Sequence, residues 1–395
     1  MVRNPSSFLR EEYRRLVEKS LDWRIRVLES ASKPRAIVNG KSMLMLCSNN
    51  YLNLAAHPRL IEAMKKATEQ YGAGSGSVRP IAGTMKIHVQ LEEKLAEFKR
   101  REAALYYQTG FATNAGLIPQ LVDKEDAIFT DELNHGSIID GCRLTKAERF
   151  IYPHNDISAL ESALNEADKK GFRRLLIITD GVFSMDGDIA KVPEICKVSE
   201  KFGAMVYIDD AHGEGVLGED GRGIGTHFHL EDKIDIEMGT FSKAFGVVGG
   251  HITGSRDLIN FAYNKSRTWL LSGSAPPATV AACIEALNVL ETEPHHVKNL
   301  WENTKYFKKS LQQLGFDTGV SETPITPVML GESSIAKKFA DMLFEKNVFV
   351  TPIVFPMVPQ GKARIRTIMN AGFTRTDLDE ALSAFENVGK RLKII

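Results

Sequence analysis

Alternating apolar and polar stretches between residues 103 and 254 predict an α/β domain. Short runs rich in β-branched and aromatic residues predict strands at 104–107, 126–130, 149–152, 175–179, 205–208 and 234–238. Apolar residues at helical spacing predict helices between several of them, including 157–169 and 192–202. Because strands that alternate with helices form parallel sheets covered on both faces, we expect a doubly wound, mostly parallel central sheet.

The pattern changes on both sides of this region. Leu9, Tyr13 and Leu16 recur at helical spacing, and Asn39-Gly40 separates two short apolar runs in the manner of a hairpin turn. From residue 326 onward, strand and helix patterns recur in a shorter series. We therefore expect an N-terminal arm and hairpin at 1–52, a large domain at 53–285 and a smaller α/β domain at 286–395.

Composition excludes several classes of function. The 395 residues include 50 Lys plus Arg and 50 Asp plus Glu, so no charge excess directs the chain toward nucleic acid or an anionic membrane. Four scattered cysteines argue against a disulfide framework or a zinc site, and we expect no metal. Charged residues interrupt the N-terminus and no later apolar run could span a membrane, so a cytoplasmic location is expected.

Two stretches that follow predicted strands carry the chemistry. Asp209, Asp210 and His212 end one strand, and Lys243 lies among small and hydroxylated residues after the next. Ligands of open α/β sheets bind at that edge. Pyridoxal phosphate requires three kinds of partner: a carboxylate that binds its ring nitrogen, a hydroxyl that binds its phosphate and an amine that reacts with its aldehyde. The alternatives are a metal site at Asp-Asp-x-His and an ordinary surface lysine.

Other strand ends add candidates for a pocket. His135 could stack on a ring, although a single histidine is more often structural. Arg364 and Arg366 lie on a predicted strand where alternate side chains share a face, which leaves open which arginine binds a substrate carboxylate. The glycine-rich segment 72–79 follows a helix rather than a strand, so it predicts a wall of the site and not a dinucleotide-binding loop.

Together these motifs resemble the α-oxoamine synthase family of fold type I pyridoxal phosphate enzymes, which condense an amino acid with an acyl-CoA. The resemblance extends from about Cys47 to the C-terminal helix. Its motifs are Ser48-Asn49-Asn50-Tyr51-Leu52, Gly83-Thr84, Asn134-His135, Asp180-Gly181-Val182-Phe183-Ser184-Met185-Asp186-Gly187-Asp188, Asp209-Asp210-Ala211-His212, Gly239-Thr240-Phe241-Ser242-Lys243 and Arg364-Ile365-Arg366-Thr367.

The resemblance implies a role for each matching residue. Lys243 would bond the cofactor's aldehyde, Asp209 would hold the pyridine nitrogen, and His135 would stack on the ring. Asn49 and Arg366 would bind the substrate carboxylate. The resemblance also implies a homodimer with the active site at its interface, where the Ser272-Gly273 turn reaches the neighbour's phosphate. The implied catalytic set is Lys243, His135, Asp209 and His212, and the cofactor-binding set adds Gly110, Phe111, Ser184, Thr240, Ser272 and Gly273.

Within the family, residues 354–361 most resemble the glycine C-acetyltransferase branch, also called 2-amino-3-ketobutyrate CoA ligase. The resemblance therefore implies glycine and acetyl-CoA as substrates. The alternatives are 8-amino-7-oxononanoate synthase, which uses alanine and pimeloyl-CoA, and a serine palmitoyltransferase-like activity. An aminotransferase of the same fold and a catalytically silent partner subunit are further alternatives, and the presence of Lys243 argues against the silent subunit.

Overall fold

A computed structural model describes residues 4–18, 21–22 and 25–395. Its central sheet has seven strands in the order β3-β9-β8-β7-β6-β4-β5, and every neighbouring pair is parallel except those that include β9. The predicted mostly parallel sheet is confirmed. The strands are β3 (Ala103–Tyr107), β4 (Ala127–Asp131), β5 (Glu148–Tyr152), β6 (Leu175–Asp180), β7 (Met205–Asp209), β8 (Ile236–Thr240) and β9 (Gly250–Gly254).

Helices cover both faces of this sheet and extend into the rest of the chain. They are α1 (Ser7–Glu18), α2 (Pro58–Tyr71), α3 (Lys86–Phe98), α4 (Gly110–Leu121), α5 (Gly136–Arg143), α6 (Ile157–Lys170), α7 (Val192–Phe202), α8 (Ile224–Phe228), α9 (Arg256–Lys265), α10 (Arg267–Leu271), α11 (Pro277–Thr292), α12 (His295–Gln313), α13 (Ser333–Glu345) and α14 (Arg375–Arg391). Among the described residues, no helix is long and apolar enough to cross a membrane.

Alternation along the strands explains why both faces are covered. In β6, Leu176 and Ile178 pack with α4 and α5 on one face, while Ile177 packs with the core on the other. In β7, Tyr207 belongs to the first face and Ile208 to the second. Since successive strand side chains point to opposite faces, a strand covered on both faces needs apolar residues on both, as in the first four residues of β6 and of β7.

Two smaller sheets lie beyond the central one. β10 (Ile325–Gly331), β13 (Ala363–Ile368) and β12 (Thr351–Ile353) form an antiparallel sheet. The predicted hairpin is confirmed as β1 (Arg35–Val38) and β2 (Lys41–Met45), and β11 (Val348–Phe349) extends it. The apolar run at 348–354 predicts one strand, whereas the structure divides this segment between the two sheets.

The domain boundaries stay predictions, and two features of the structure bear on them. Residue 285 lies inside α11, which packs against α2 and α3 of the large domain. The N-terminal hairpin is paired with β11, a strand from the C-terminal part of the chain. Contacts between distant parts of the chain thus join segments that the sequence analysis assigned to separate units.

Candidate active site

Asp209 lies where the parallel strands end, and its carboxylate is held from both sides. Its Oδ2 accepts a hydrogen bond from Asn114 Nδ2 at 2.7 Å, and its Oδ1 accepts one from the Ala211 amide at 3.1 Å. Asn114 Oδ1 in turn accepts from the Tyr207 hydroxyl at 2.7 Å. Each group is buried. Because Tyr207 fixes Asn114 and the Ala211 amide belongs to the backbone, both partners hold the Asp209 carboxylate in this orientation.

Asn114 also joins Asp209 to His135. Its second amide hydrogen goes to Ser137 Oγ at 2.9 Å, and that hydroxyl lies 2.7 Å from His135 Nδ1. His135 caps helix α5, where its Nδ1 accepts a hydrogen bond from the Ser137 amide. The backbone amide of His135 donates to Asp180 Oδ2 at 2.7 Å. The ring itself is exposed, so one face is available to a planar ligand.

Lys243 follows β8 on a tight turn in which the Gly246 amide donates to the Lys243 carbonyl at 3.0 Å. Buried Phe241 and Phe245 anchor the turn on either side. Burial lowers the pKa of the Lys243 amine because it disfavours the ammonium form, and the carboxylates of Asp209 and Asp180 oppose this effect in part. A lysine whose amine loses its proton more readily is suited to react with an aldehyde.

The neighbouring turns offer a cradle for an anion. Helix α4 begins at Gly110, with Thr109 as its N-cap, so the amides of Gly110 and Phe111 lie in the first turn, where helical acceptors are missing. A Cβ at Gly110 would lie 2.9 Å from Met238 Cε. Thr240 Oγ1 lies 2.7 Å from Ser242 Oγ and donates to the Gly249 carbonyl. These groups match the phosphate contacts that the resemblance implies.

The Ser272-Gly273 turn lies beside the start of this cradle in the same chain. Gln108 Nε2 donates to the carbonyls of Ser272 and Gly273, and Gly273 forms an isolated β-bridge with Val78 of the glycine-rich segment. The structure contains one chain, so the predicted reach of this turn to a neighbour's phosphate stays a prediction.

The two arginines of β13 have different partners. Arg364 is buried and forms an ion pair with Asp186, and it also donates to the Met185 carbonyl at 3.1 Å. Arg366 donates to the Ser184 carbonyl at 3.0 Å and to Asn49 Oδ1 at 3.2 Å. Within the described part of the chain Arg366 takes part in no ion pair. Its charge is therefore available to a substrate carboxylate, whereas that of Arg364 is already neutralised.

His212 has a partner that the sequence analysis did not identify. Its Nδ1 lies 2.8 Å from the Tyr51 hydroxyl, and both side chains are buried. Burial raises the pKa of the Tyr51 phenol and lowers that of His212, so the phenol stays protonated and the imidazole neutral. When the phenol donates to Nδ1, the imidazole proton lies on Nε2.

Asp210 does not share the site with Asp209, because adjacent residues at a strand end face opposite sides. Asp210 Oδ2 accepts from the Ile224 amide at 2.8 Å and lies 3.8 Å from Lys99 Nζ. Lys99 Nζ also lies 3.4 Å from Glu214 and 2.5 Å from Glu237. This buried ion cluster accounts for the second acid without a metal at Asp-Asp-x-His.

Comparisons with known proteins show the family to which the chain belongs. The family "Aminotransferase class I and II" matches residues 41–385, most of the chain. Solved structures of serine palmitoyltransferase with PLP superimpose on the chain with a TM-score of 0.93 at 29–30% identity over at least 99% of both chains. The chain belongs to the α-oxoamine synthase family of pyridoxal phosphate enzymes. The predicted fold type and cofactor are confirmed.

Several similar relatives carry the name of one branch of the family. The 8-amino-7-oxononanoate synthase of Thermoanaerobacter pseudethanolicus is 55% identical over 388 residues, 98% of each chain. The 8-amino-7-oxononanoate synthase 1 of Bacillus subtilis is 50% identical over the same length, again 98% of each chain. The Francisella tularensis enzyme of that name is more distant, with a TM-score of 0.76 at 26% identity over 89% of this chain and 99% of its own.

The residues present fit the cofactor of this α-oxoamine synthase. Asp209 has a fixed carboxylate at the end of β7, Lys243 a partly buried amine after β8, and His135 an exposed side chain after β4, and these parallel strands end at one edge of the sheet. The first turn of α4 supplies amides, and Gly110 packs so closely on Met238 that a Cβ there would lie 2.9 Å from Met238 Cε. We therefore propose the roles predicted for these residues as the working assignment of the site.

Proposed function

We propose that the chain is an 8-amino-7-oxononanoate synthase, which condenses alanine with pimeloyl-CoA and releases CO₂ and CoA. The observation that carries the proposal is the 55% identity to the Thermoanaerobacter pseudethanolicus enzyme over nearly the whole of both chains. The predicted preference for glycine and acetyl-CoA rested on residues 354–361, with support from Ser77-Val78-Arg79 and Gly83-Thr84, and the comparisons favour the alternative branch.

The chemistry has three requirements, and the first is to hold the amino acid. Arg366, with its charge unpaired among the described residues, would bind the substrate carboxylate through two parallel hydrogen bonds, and Asn49 would help fix its position. Such a pair orients the bonds at Cα as well as binding the carboxylate. Glycine and alanine share that carboxylate, so this contact supports the family reaction and not one of its branches.

The second requirement is to remove the Cα proton. Pyridoxal phosphate, when bound, supplies an electron sink for the charge that develops at Cα. Lys243 would accept the proton at Nζ, and its lowered pKa favours the neutral amine that can do so. Asp209, held by Asn114 and the Ala211 amide, would keep its negative charge directed at the pyridine nitrogen.

The third requirement is to handle charge on the acyl carbonyl. With Tyr51 as the donor to Nδ1, His212 would carry its proton on Nε2, and this edge of the ring would be a hydrogen-bond donor. The donor would stabilise negative charge on an oxygen in the site. Burial of both His212 and Tyr51 keeps this donor away from bulk water, where its effect would be weaker.

Product analysis tests the proposal. The cofactor-loaded protein is incubated with alanine and pimeloyl-CoA, with glycine and acetyl-CoA, and with alanine alone, and the products are identified by mass spectrometry. We expect 8-amino-7-oxononanoate with one CoA released per product in the first mixture. A keto acid formed from alanine without acyl-CoA would indicate an aminotransferase, and product from the second mixture alone would restore the glycine-using branch.

We also propose a homodimer as the active form. Helix α1 buries none of its side chains in the single chain, and Phe8, Leu9 and Tyr13 on it are more than half exposed. An apolar face of this kind is expected to be covered by another surface. Light scattering after size exclusion gives the mass directly, and a species of one chain that retains full activity would contradict the dimer.

A further inference from the structure

The three residues His57, Glu293 and His296 lie together where helices α2, α11 and α12 meet. His57 immediately precedes α2, Glu293 follows α11, and His296 is in the first turn of α12. One donor atom of each lies within 4.8 Å of the other two, and no other group of this kind was found among the described residues. None of the contacts described for them includes a residue of the Lys243 site.

The distances suit metal ligands better than they suit hydrogen bonds. Glu293 Oε2 lies 3.5 Å from His57 Nε2 and 3.4 Å from His296 Nε2. A hydrogen bond of this type usually has a length of about 2.9 Å. Two donors that share a tetrahedral Zn²⁺ with bonds of about 2.0–2.2 Å lie about 3.3–3.6 Å apart. The distances from Glu293 Oε2 to the two histidine nitrogens therefore each match one edge of such a tetrahedron.

The surroundings hold the carboxylate in place. Arg59 Nη1 donates to Glu293 Oε1 at 2.8 Å, which leaves Oε2 directed at the two imidazoles. The charge of Arg59 is shared with Glu285, whose Oε1 accepts from Arg59 Nε at 2.6 Å. With two acids and one arginine, the site has one net negative charge when the histidines are neutral. Ligand carboxylates in metal sites are commonly oriented by such an outer partner.

The histidine side chains have little else to bind. The His57 ring makes no capping hydrogen bond to α2, although the residue occupies the cap position, and its buried Nδ1 has no hydrogen-bond partner. Both side chains are largely covered, with 15% of His57 and 13% of His296 exposed. A cation there would be partly shielded from water, with room for a water ligand.

We propose that His57 Nε2, Glu293 Oε2 and His296 Nε2 bind one Zn²⁺ per chain, with water in the fourth position. Two histidines and one carboxylate are a ligand set that zinc accepts, whereas Mg²⁺ and Ca²⁺ prefer oxygen ligands alone. The ion would tie the start of α2 to the junction of α11 and α12, so its role is to stabilise that junction. The proposal is independent of the substrates of the enzyme.

The test uses the cofactor-loaded protein with any affinity tag removed, treated with chelator and then transferred to phosphate-free buffer. Zinc binding is measured by competition with a chromophoric chelator and by elemental analysis. His57→Gln and His296→Gln each remove one ligand. His295→Gln is the matched control, because this exposed neighbour stacks on His296 but is not in the ligand group. Each variant is first compared with the parent by far-UV circular dichroism.

We expect one zinc per chain in the parent and in His295→Gln, and an affinity at least about tenfold weaker in the other two variants. Cobalt should give the absorption of a four-coordinate ion in the parent and in His295→Gln, but not in His57→Gln or His296→Gln. Excess zinc should raise the thermal unfolding midpoint of the parent by about 2 °C or more, but not that of His296→Gln. Equal zinc affinity in all four proteins, or no binding by the parent, would overturn the proposal.

Discussion

Replacing Arg366 with leucine, and Arg364 with leucine in parallel, tests how the substrate carboxylate is bound. Arg366 donates to one backbone carbonyl and to Asn49, and it forms no ion pair within the described residues. Arg364 is paired with Asp186. If Arg366 holds the substrate carboxylate, its removal eliminates a charge-assisted pair that forms only when the amino acid is present.

The expected magnitude follows from the strength of such a bond. A hydrogen bond to a charged group contributes about 1.5–3 kcal/mol. Since about 1.4 kcal/mol corresponds to a factor of ten, kcat/KM for alanine should fall by about ten- to 150-fold in Arg366→Leu. Arg366→Lys keeps the charge but loses the planar fork, so its loss should be intermediate. KM for the acyl-CoA should change little in both variants.

Arg364→Leu should behave differently, because it breaks an internal pair and leaves Asp186 without its cation. A carboxylate that loses its partner costs about 1–3 kcal/mol of stability when it is partly buried. We therefore expect a lower thermal unfolding midpoint with KM for alanine within about threefold of the parent. Steady-state kinetics at saturating acyl-CoA measure KM for alanine, and thermal melts followed by circular dichroism measure the unfolding midpoint. The reasoning is refuted if Arg364→Leu loses alanine affinity and Arg366→Leu keeps it.

Three further substitutions address other parts of the account. Lys243→Ala should abolish both product formation and the absorbance of the covalently held cofactor, while the circular dichroism spectrum stays unchanged. A variant with the turnover of the parent would remove this lysine from the mechanism. Tyr51→Phe removes the hydroxyl beside Nδ1, so His212 can place its proton on either nitrogen. We expect kcat to fall by about tenfold with KM for alanine little changed. Equal activity would show that the phenol does not set the tautomer. Lys99→Met removes the cation shared by Asp210, Glu214 and Glu237, of which Glu214 keeps His251 Nε2 at 2.9 Å. The pKa values of Asp210 and Glu214 should then rise, so the folded variant binds extra protons. Its stability deficit, about 3–5 kcal/mol near pH 8, should shrink as the pH falls toward about 6, and a deficit that grows instead would contradict the ion cluster.

The sequence predicted the central sheet well because local periodicity determines it. Each strand from β3 to β8 has apolar residues on both faces and ends in a polar residue or a small one, so its position could be read directly. Helix α3 was not assigned, since it follows the glycine-rich segment and its apolar positions are interrupted by several charges. The division of 348–354 into β11 and β12 depends on pairing with β2 and β13, which no local pattern encodes.

The candidate site was predicted in part. Lys243, Asp209 and His135 were identified from strand ends. Alternation along the strand left Arg364 and Arg366 open, the resemblance implied Arg366, and the ion pair of Arg364 with Asp186 adds a structural reason for that choice. Asn114 was not recognised as the residue that fixes Asp209, although a polar residue in the first turns of a buried helix was a possible signal.

Two other partners had weaker signals in the sequence. Lys99 resembles any lysine at a helix end, and only the fold shows that three acids surround it. Tyr51 lies in a polar loop between apolar residues, and its hydroxyl meets His212 only after folding. Contacts between residues far apart in the chain account for these omissions.

The central claim is that this α-oxoamine synthase prefers alanine and a long acyl donor. The most direct measurement is kcat/KM for alanine with pimeloyl-CoA against glycine with acetyl-CoA, on one preparation of the cofactor-loaded protein. The account predicts a ratio of about tenfold or more in favour of alanine and pimeloyl-CoA, which is about 1.4 kcal/mol of transition-state preference. A ratio of that size in favour of glycine and acetyl-CoA would contradict it.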